Sequence, residues 1–142
     1  MAKLESTQMA SIHNEIRIEA RPGDVWDAMR DVGEVHTRLA SGFVVDTTMD
    51  GDARIVTFGN GMVARELIVD VGEKDQRLVW SVVGGRLTHH NASLQVFADG
   101  EGSRVVWIAD LLPNGLAGVV AGMIEQGMAA MKQTLERQAG NR

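Results

Sequence analysis

Residues 88–112 read "THHNASLQVFADGEGSRVVWIADLL", two runs rich in β-branched and apolar residues on either side of the turn-forming "DGEG" at 99–102. Side chains alternate across a strand, so a hairpin sorts its residues into two faces once the turn fixes the register. With Ala98 opposite Ser103, residues Val96, Leu94, Ala92 and His90 share a face with Val105, Trp107, Ala109 and Leu111. The other face carries His89, Asn91, Ser93, Gln95 and Phe97 beside Arg104, Val106, Ile108 and Asp110. Only the first face is nearly all apolar. It therefore turns toward the core and takes His90 with it, leaving His89 toward water.

Upstream, the same kind of run repeats between turn signals: "FVVDTTM", "ARIVTF", "MVARELIVDV" and "RLVWSVV", separated by Asp50-Gly51-Asp52, Gly59-Asn60-Gly61, "GEKDQ" and Gly84-Gly85. Six such strands in succession from Phe43 to Leu112 imply an antiparallel meander. Ahead of them, "ASIHNEIRIEA" alternates at Ile12, Ile16 and Ile18 and stops at Arg21-Pro22, giving a first, half-buried strand. "PGDVWDAMRDV" then places Pro22 at a helix start, Asp24 in the first turn and Val25, Trp26 and Met29 at helical spacing. "GEVHTRLA" supplies a second helical piece. After Pro113, apolar residues at Leu116, Val119, Val120, Met123, Ile124, Met128, Met131 and Leu135 recur as on one face of a long helix. No linker or repeat divides the chain, so residues 1–142 are expected to form one domain, with 1–8 and 139–142 frayed. This order describes an α+β fold: a curved seven-stranded antiparallel sheet around a long C-terminal helix, with two short helices between strands 1 and 2.

Composition narrows the function. A net charge of −5, with 14 scattered basic residues, argues against phosphate-backbone binding, which needs clustered Lys and Arg. No apolar run approaches the roughly 18 residues of a membrane span, and "MAKLESTQMA" lacks the apolar core of a signal peptide, so a cytoplasmic location is expected. The absence of cysteine removes disulfides, thiol nucleophiles and Cys-ligated zinc. His13, His36, His89 and His90 fall on separate elements or opposite faces, so neither a metal nor another cofactor is expected.

The element order, together with "DVWDAMRDV", "ARELIVDV" and "RLVWSVVGG", resembles the helix-grip fold of the START-like, Bet v 1-like (SRPBCC) superfamily. That superfamily includes plant allergens, abscisic-acid receptors, lipid-transfer domains and bacterial polyketide cyclase/dehydrase-like proteins. The stretch from Glu66 to Ser93 is similar to that of the abscisic-acid receptors. The resemblance covers nearly the whole chain and implies a cavity between the sheet and the last helix, but it carries no catalytic signature.

For the cavity wall, the register of the "GEKDQ" hairpin leaves two neighbours open. One pairing sets Trp80 and Val82 beside Val63, Arg65, Leu67 and Val69, which makes Arg65 the polar residue inside. The receptor resemblance instead implies Glu66. Either charge, buried, needs a counter-charge, water or a polar ligand group. His90 reads as a polar anchor or proton-transfer group in an apolar pocket, or as a half-buried histidine satisfied by a neighbour. Val82, Ala92, Leu94, Trp80, Trp107, Met123 and Met128 complete the candidate ligand contacts. The glycines of the last helix allow a close approach to the sheet, a deeper pocket or a homodimer contact. Three functions fit. The first is binding of a small hydrophobic or aromatic ligand of polyketide, lipid or terpenoid class. The second is polyketide cyclase/dehydratase chemistry with His90 or Glu66 moving a proton, and the third is a co-chaperone-like interaction module.

Overall fold

In the computed structural model, which describes residues 9–141, β6 (His89–Asp99) and β7 (Gly102–Leu112) pair without interruption from Asp99 opposite Gly102 to His89 opposite Leu112. Ala98 faces Ser103, as the turn requires. Along the inner face, Ala92, Leu94, Val96, Val105, Ala109 and Leu111 are all buried. β1 (Ala10–Ile18) adds to the free edge of β7 with Ile12 opposite Ala109 and Ile16 opposite Val105, so its isoleucines extend the same apolar layer.

On the other side of β6 lie β5 (Arg77–Val83), β4 (Val63–Gly72), β3 (Ala53–Phe58) and β2 (Val44–Asp50). The resulting seven-stranded antiparallel sheet runs in the order β1-β7-β6-β5-β4-β3-β2. The turn between β3 and β4 closes with Phe58 N–H donating to Met62 O at 2.8 Å, and Gly61 takes a φ of 91° that a side chain would disfavour. "GNGM" is thus a tight hairpin turn.

Two short elements fill one end of the concave face. In α1 (Pro22–Arg30), Pro22 occupies the first turn, where its missing N–H has no helical partner to lose, and Val25, Trp26, Ala28 and Met29 are buried. The helix packs against β5, β6 and β7. The Trp26 indole donates to Glu73 at 2.8 Å and Arg30 donates to the same carboxylate at 2.7 Å, tying α1 to the β4–β5 turn. A π-helical turn (Val35–Leu39) then packs against β2 and the C-terminal helix, burying Val35 and Leu39.

The long helix α2 (Ala117–Gly140) crosses the sheet and is held most firmly at its C-terminal half. There Lys132 donates to Arg17 O at 2.9 Å, Glu136 accepts from Glu19 N–H at 2.8 Å, and Thr134 Oγ1 accepts from Ser41 N–H at 3.1 Å. The helix runs through Gly140, so 139 and 140 belong to its last turn rather than to a frayed tail. The expectation of fraying at 1–8 and at 142 lies outside the described residues. Among those described, no helix is long and apolar enough to cross a membrane.

Of the helix glycines, Gly127 accounts for the close approach. A Cβ there would fall 2.9 Å from the Trp107 ring and 3.1 Å from Phe43, whereas one at Gly122 would meet nothing within 4 Å. The two sites should respond oppositely to alanine. Gly122→Ala should raise stability by up to about 1 kcal/mol through helix propensity. Gly127→Ala should lower it by about 1 kcal/mol or more, the overpacking outweighing the same propensity gain. Paired chemical denaturation curves check this, and equal stabilisation of both variants would refute the tight seat of Gly127 on Trp107.

Candidate functional site

Between β4 and β5 the ladder runs Gly72–Arg77, Val71–Leu78, Asp70–Val79, and then skips to Ile68–Trp80 and Glu66–Val82. Val69 is left over as a bulge. An unbroken ladder would pair Val69 with Trp80 and put Arg65 inside; the extra residue exchanges the two faces from there on. The inner residues of β4 are therefore Ala64, Glu66 and Ile68. Arg65 points outward, where it donates to Asp50 at 2.7 Å.

Glu66 does not stand alone. In the β3–β4 ladder it lies opposite Arg54, and Arg54 Nε donates to Glu66 Oε1 at 2.7 Å. Both residues are buried, with Arg54 only 4% and Glu66 8% exposed. The guanidinium also lies 5.4 Å from the Trp80 ring centroid and reaches Val32 O at 3.4 Å. Trp80 meets Trp107 edge-on at 5.8 Å. Ion pair and indoles thus form one connected wall.

That wall borders a pocket of about 380 Å³ between the sheet and α2. Its lining is chiefly apolar: Leu39, Phe43, Val56, Phe58, Leu78, Leu94, Val120, Ile124 and Met131 surround the Arg54–Glu66 pair and the two indoles. Met62 and Val63 on one side, Val83 to Arg86 on another and Val119 on the helix both line it and are exposed, which marks its mouth.

Of the side chains expected at the site, Glu66, Trp80, Val82, His90, Leu94, Trp107 and Met123 line the pocket. Arg65, Ala92 and Met128 do not. The bulge turns Arg65 away. Ala92 is buried opposite Trp80, but the larger indole is what reaches the hollow. Met128 is buried one residue past Gly127, turned by roughly 100° around the helix. Arg54 escaped the sequence reading, although counting back from the "GNGM" turn places it opposite Glu66.

His90 is half-buried, and its Nδ1 is enclosed without a hydrogen-bond partner among the described residues. Burial lowers its pKa from the ordinary 6.5, and the adjacent His89 lowers it further. The imidazole is thus biased toward its neutral form, in which one nitrogen donates and the other accepts. No group of three or more metal-ligating side chains occurs among the described residues.

Residues 9–136 match the family described as polyketide cyclase / dehydrase and lipid transport. The chain belongs to this family. It shares the fold of the wider SRPBCC, Bet v 1-like superfamily. Among solved structures, an uncharacterised protein from Bacillus thuringiensis superposes with a TM-score of 0.79 at 15% identity, over 89% of this chain and 98% of its own. Norcoclaurine synthase from Thalictrum flavum, in complex with dopamine and hydroxybenzaldehyde, gives 0.71 at 17% identity over 96% and 90%. A protein from Thermobifida fusca gives 0.73 at 22% identity over 92% and 93%. No curated protein sequence matches significantly.

In this family member the lowered His90 pKa has a consequence for folding. The unfolded chain takes up a proton near pH 6.5, above the folded value. Between those two values the unfolded state binds more protons, so stability falls as pH falls; above the unfolded value the contribution is complete. On acidification from about pH 7.5 to about pH 5.5, the melting temperature of the wild type should therefore drop further than that of His90→Gln. The His90 ring resonances should titrate with a midpoint below 6.5, and a midpoint at or above it would contradict the burial described.

Proposed function

We propose that the protein binds one small hydrophobic or aromatic molecule, of polyketide, lipid or terpenoid class, in the pocket between the sheet and α2. The observation that carries this reading is the composition of that hollow. About 380 Å³ of space is walled by apolar side chains, with only a few polar groups converging on it. Ligand sites have this character: apolar area supplies affinity and a few polar atoms fix orientation. The indoles of Trp80 and Trp107 offer flat surface to a ring, and the unpartnered His90 Nδ1 offers a hydrogen bond to a hydroxyl or carbonyl. The family description, which joins cyclase and dehydrase activity to lipid transport, supports the same class of ligand.

A second reading is favoured by one detail, the neutral bias of the partly enclosed His90. A neutral imidazole beside a bound poly-keto chain can accept a proton from carbon or oxygen and return it at a neighbouring atom. The pocket would contribute by holding the chain folded. Substitution separates the two readings: His90→Gln removes turnover in an enzyme, while in a carrier it weakens binding only.

Native mass spectrometry of the protein purified from its own host, with and without denaturation, tests the binding reading. The expected result is release of one apolar compound in near-stoichiometric amount. Ala64→Phe, which builds a ring into the pocket wall, should reduce its occupancy by about tenfold or more while the fold persists. Recovery of the bare chain alone, with no shift in melting temperature across a panel of lipids and aromatic polyketides, would overturn the reading.

A further inference from the structure

Among the described residues, the charged and titratable side chains that line the pocket are four: Arg54, Glu66, Arg86 and His90. Arg54 and Glu66 face each other at 2.7 Å with side chains 4% and 11% exposed, so their charges cancel inside the wall. The guanidinium also lies 5.4 Å from the Trp80 ring centroid and donates to the Val32 carbonyl at 3.4 Å. His90 presents an imidazole rather than a fixed charge. Arg86 is exposed at the mouth. Among the described residues, the interior thus holds neither an uncommitted cation for a ligand carboxylate or phosphate nor an uncommitted anion for an ammonium group. An ion buried without a partner is strongly disfavoured, and breaking an existing buried pair to supply one leaves the other member stranded.

We propose that the pocket selects electrically neutral ligands, carrying keto, hydroxyl or phenol groups, and keeps carboxylate, phosphate and ammonium groups out of its interior, with the Arg54–Glu66 pair as the selecting element. This rests on the ligand-binding reading above. It deepens that reading by excluding free fatty acids bound head-first and protonated amines from the interior. A neutral oxygen can still accept from the outer edge of the guanidinium or bond to His90 without separating the pair.

Matched probes of one chain length test the selection: decan-1-ol, decanoate and decylamine, each competing with the neutral fluorophore N-phenyl-1-naphthylamine at neutral pH. The alcohol should bind at least about tenfold more tightly than either ion. Glu66→Gln, which leaves Arg54 without its counter-charge, should shift the acid-to-alcohol affinity ratio toward the acid by about tenfold or more, and Arg54→Gln should shift the amine-to-alcohol ratio in the same way. Arg86→Gln deals with the mouth. Decanoate binding that this change abolishes places the anion outside the interior and supports the selection. Decanoate binding as tight as that of the alcohol, persisting in Arg86→Gln, overturns it, as does a folded Glu66→Gln protein with an unchanged ratio. If neither pair variant folds, the comparison in the wild type and Arg86→Gln decides. Failure of the fluorophore and the alcohol to bind at all would remove the ligand-binding reading itself, and this inference with it.

Discussion

One helix must cover one side of a seven-stranded sheet. Seven strands spaced about 4.8 Å apart span roughly 29 Å, while a helix with its side chains is about 10 Å across. The 24 residues of α2 therefore cannot fill the hollow of a curved sheet. The helix α1 and the π-helical turn close part of the deficit near β5 to β7 and at β2. What is left is enclosed space under β3, β4 and β5, and the side chains there meet each other only in part. The pocket is a geometric remainder of the architecture. Its chemistry is what the particular residues decide.

Those residues place a charged pair where an apolar pair would serve packing as well or better. A buried salt bridge recovers its desolvation cost only with good geometry and further hydrogen bonds, and contributes little net stability even then. Here the geometry is good: a 2.7 Å contact across adjacent strands, with the guanidinium near an indole face. Cation–π attraction offsets part of the remaining desolvation. Trp80 in turn rests edge-on against Trp107, and Trp107 lies directly under Gly127. The seat of the helix, the stack of indoles and the ion pair are one continuous contact chain from α2 to β3. A change at any member is felt along it.

The parts of this arrangement that could be read in the sequence are those where the two-residue period of a strand is unbroken. The β6–β7 hairpin has eleven ladder pairs and no irregularity, so its turn fixes the inward side of His90, Leu94 and Trp107. The β4–β5 hairpin has one extra residue, and nothing in "RELIVDVG" marks Val69 as the one left unpaired. Leu67, Ile68 and Val71 are apolar neighbours of it, and any of the four fits a bulge. The face exchange that follows is why Arg65 and Glu66 could not be separated by counting. Arg54 was hidden differently. In "ARIVTF" the residues on the face away from the pocket, Ala53, Ile55 and Thr57, are about as apolar as Val56 and Phe58 on the pocket face, so periodicity shows no preferred face. The position of Arg54 follows from its partner across the turn. The long helix was legible as a helix, but which of its methionines reach the pocket depends on its rotation about its own axis, which Gly127 sets by seating on Trp107.

The Val69 bulge also bears on how this pocket can change over generations. Because Ile68 already pairs with Trp80 and Asp70 with Val79, losing Val69 would make the ladder regular and leave every pairing on the pocket side where it stands. Losing Leu67 or Ile68 instead has the same outcome, because two residues then stand between Glu66 and Asp70 opposite Trp80 and Ser81, and Glu66 still meets Val82. The bulge is thus a spare residue. It lets this strand lose one position between Glu66 and Asp70 without changing the charge that the wall presents.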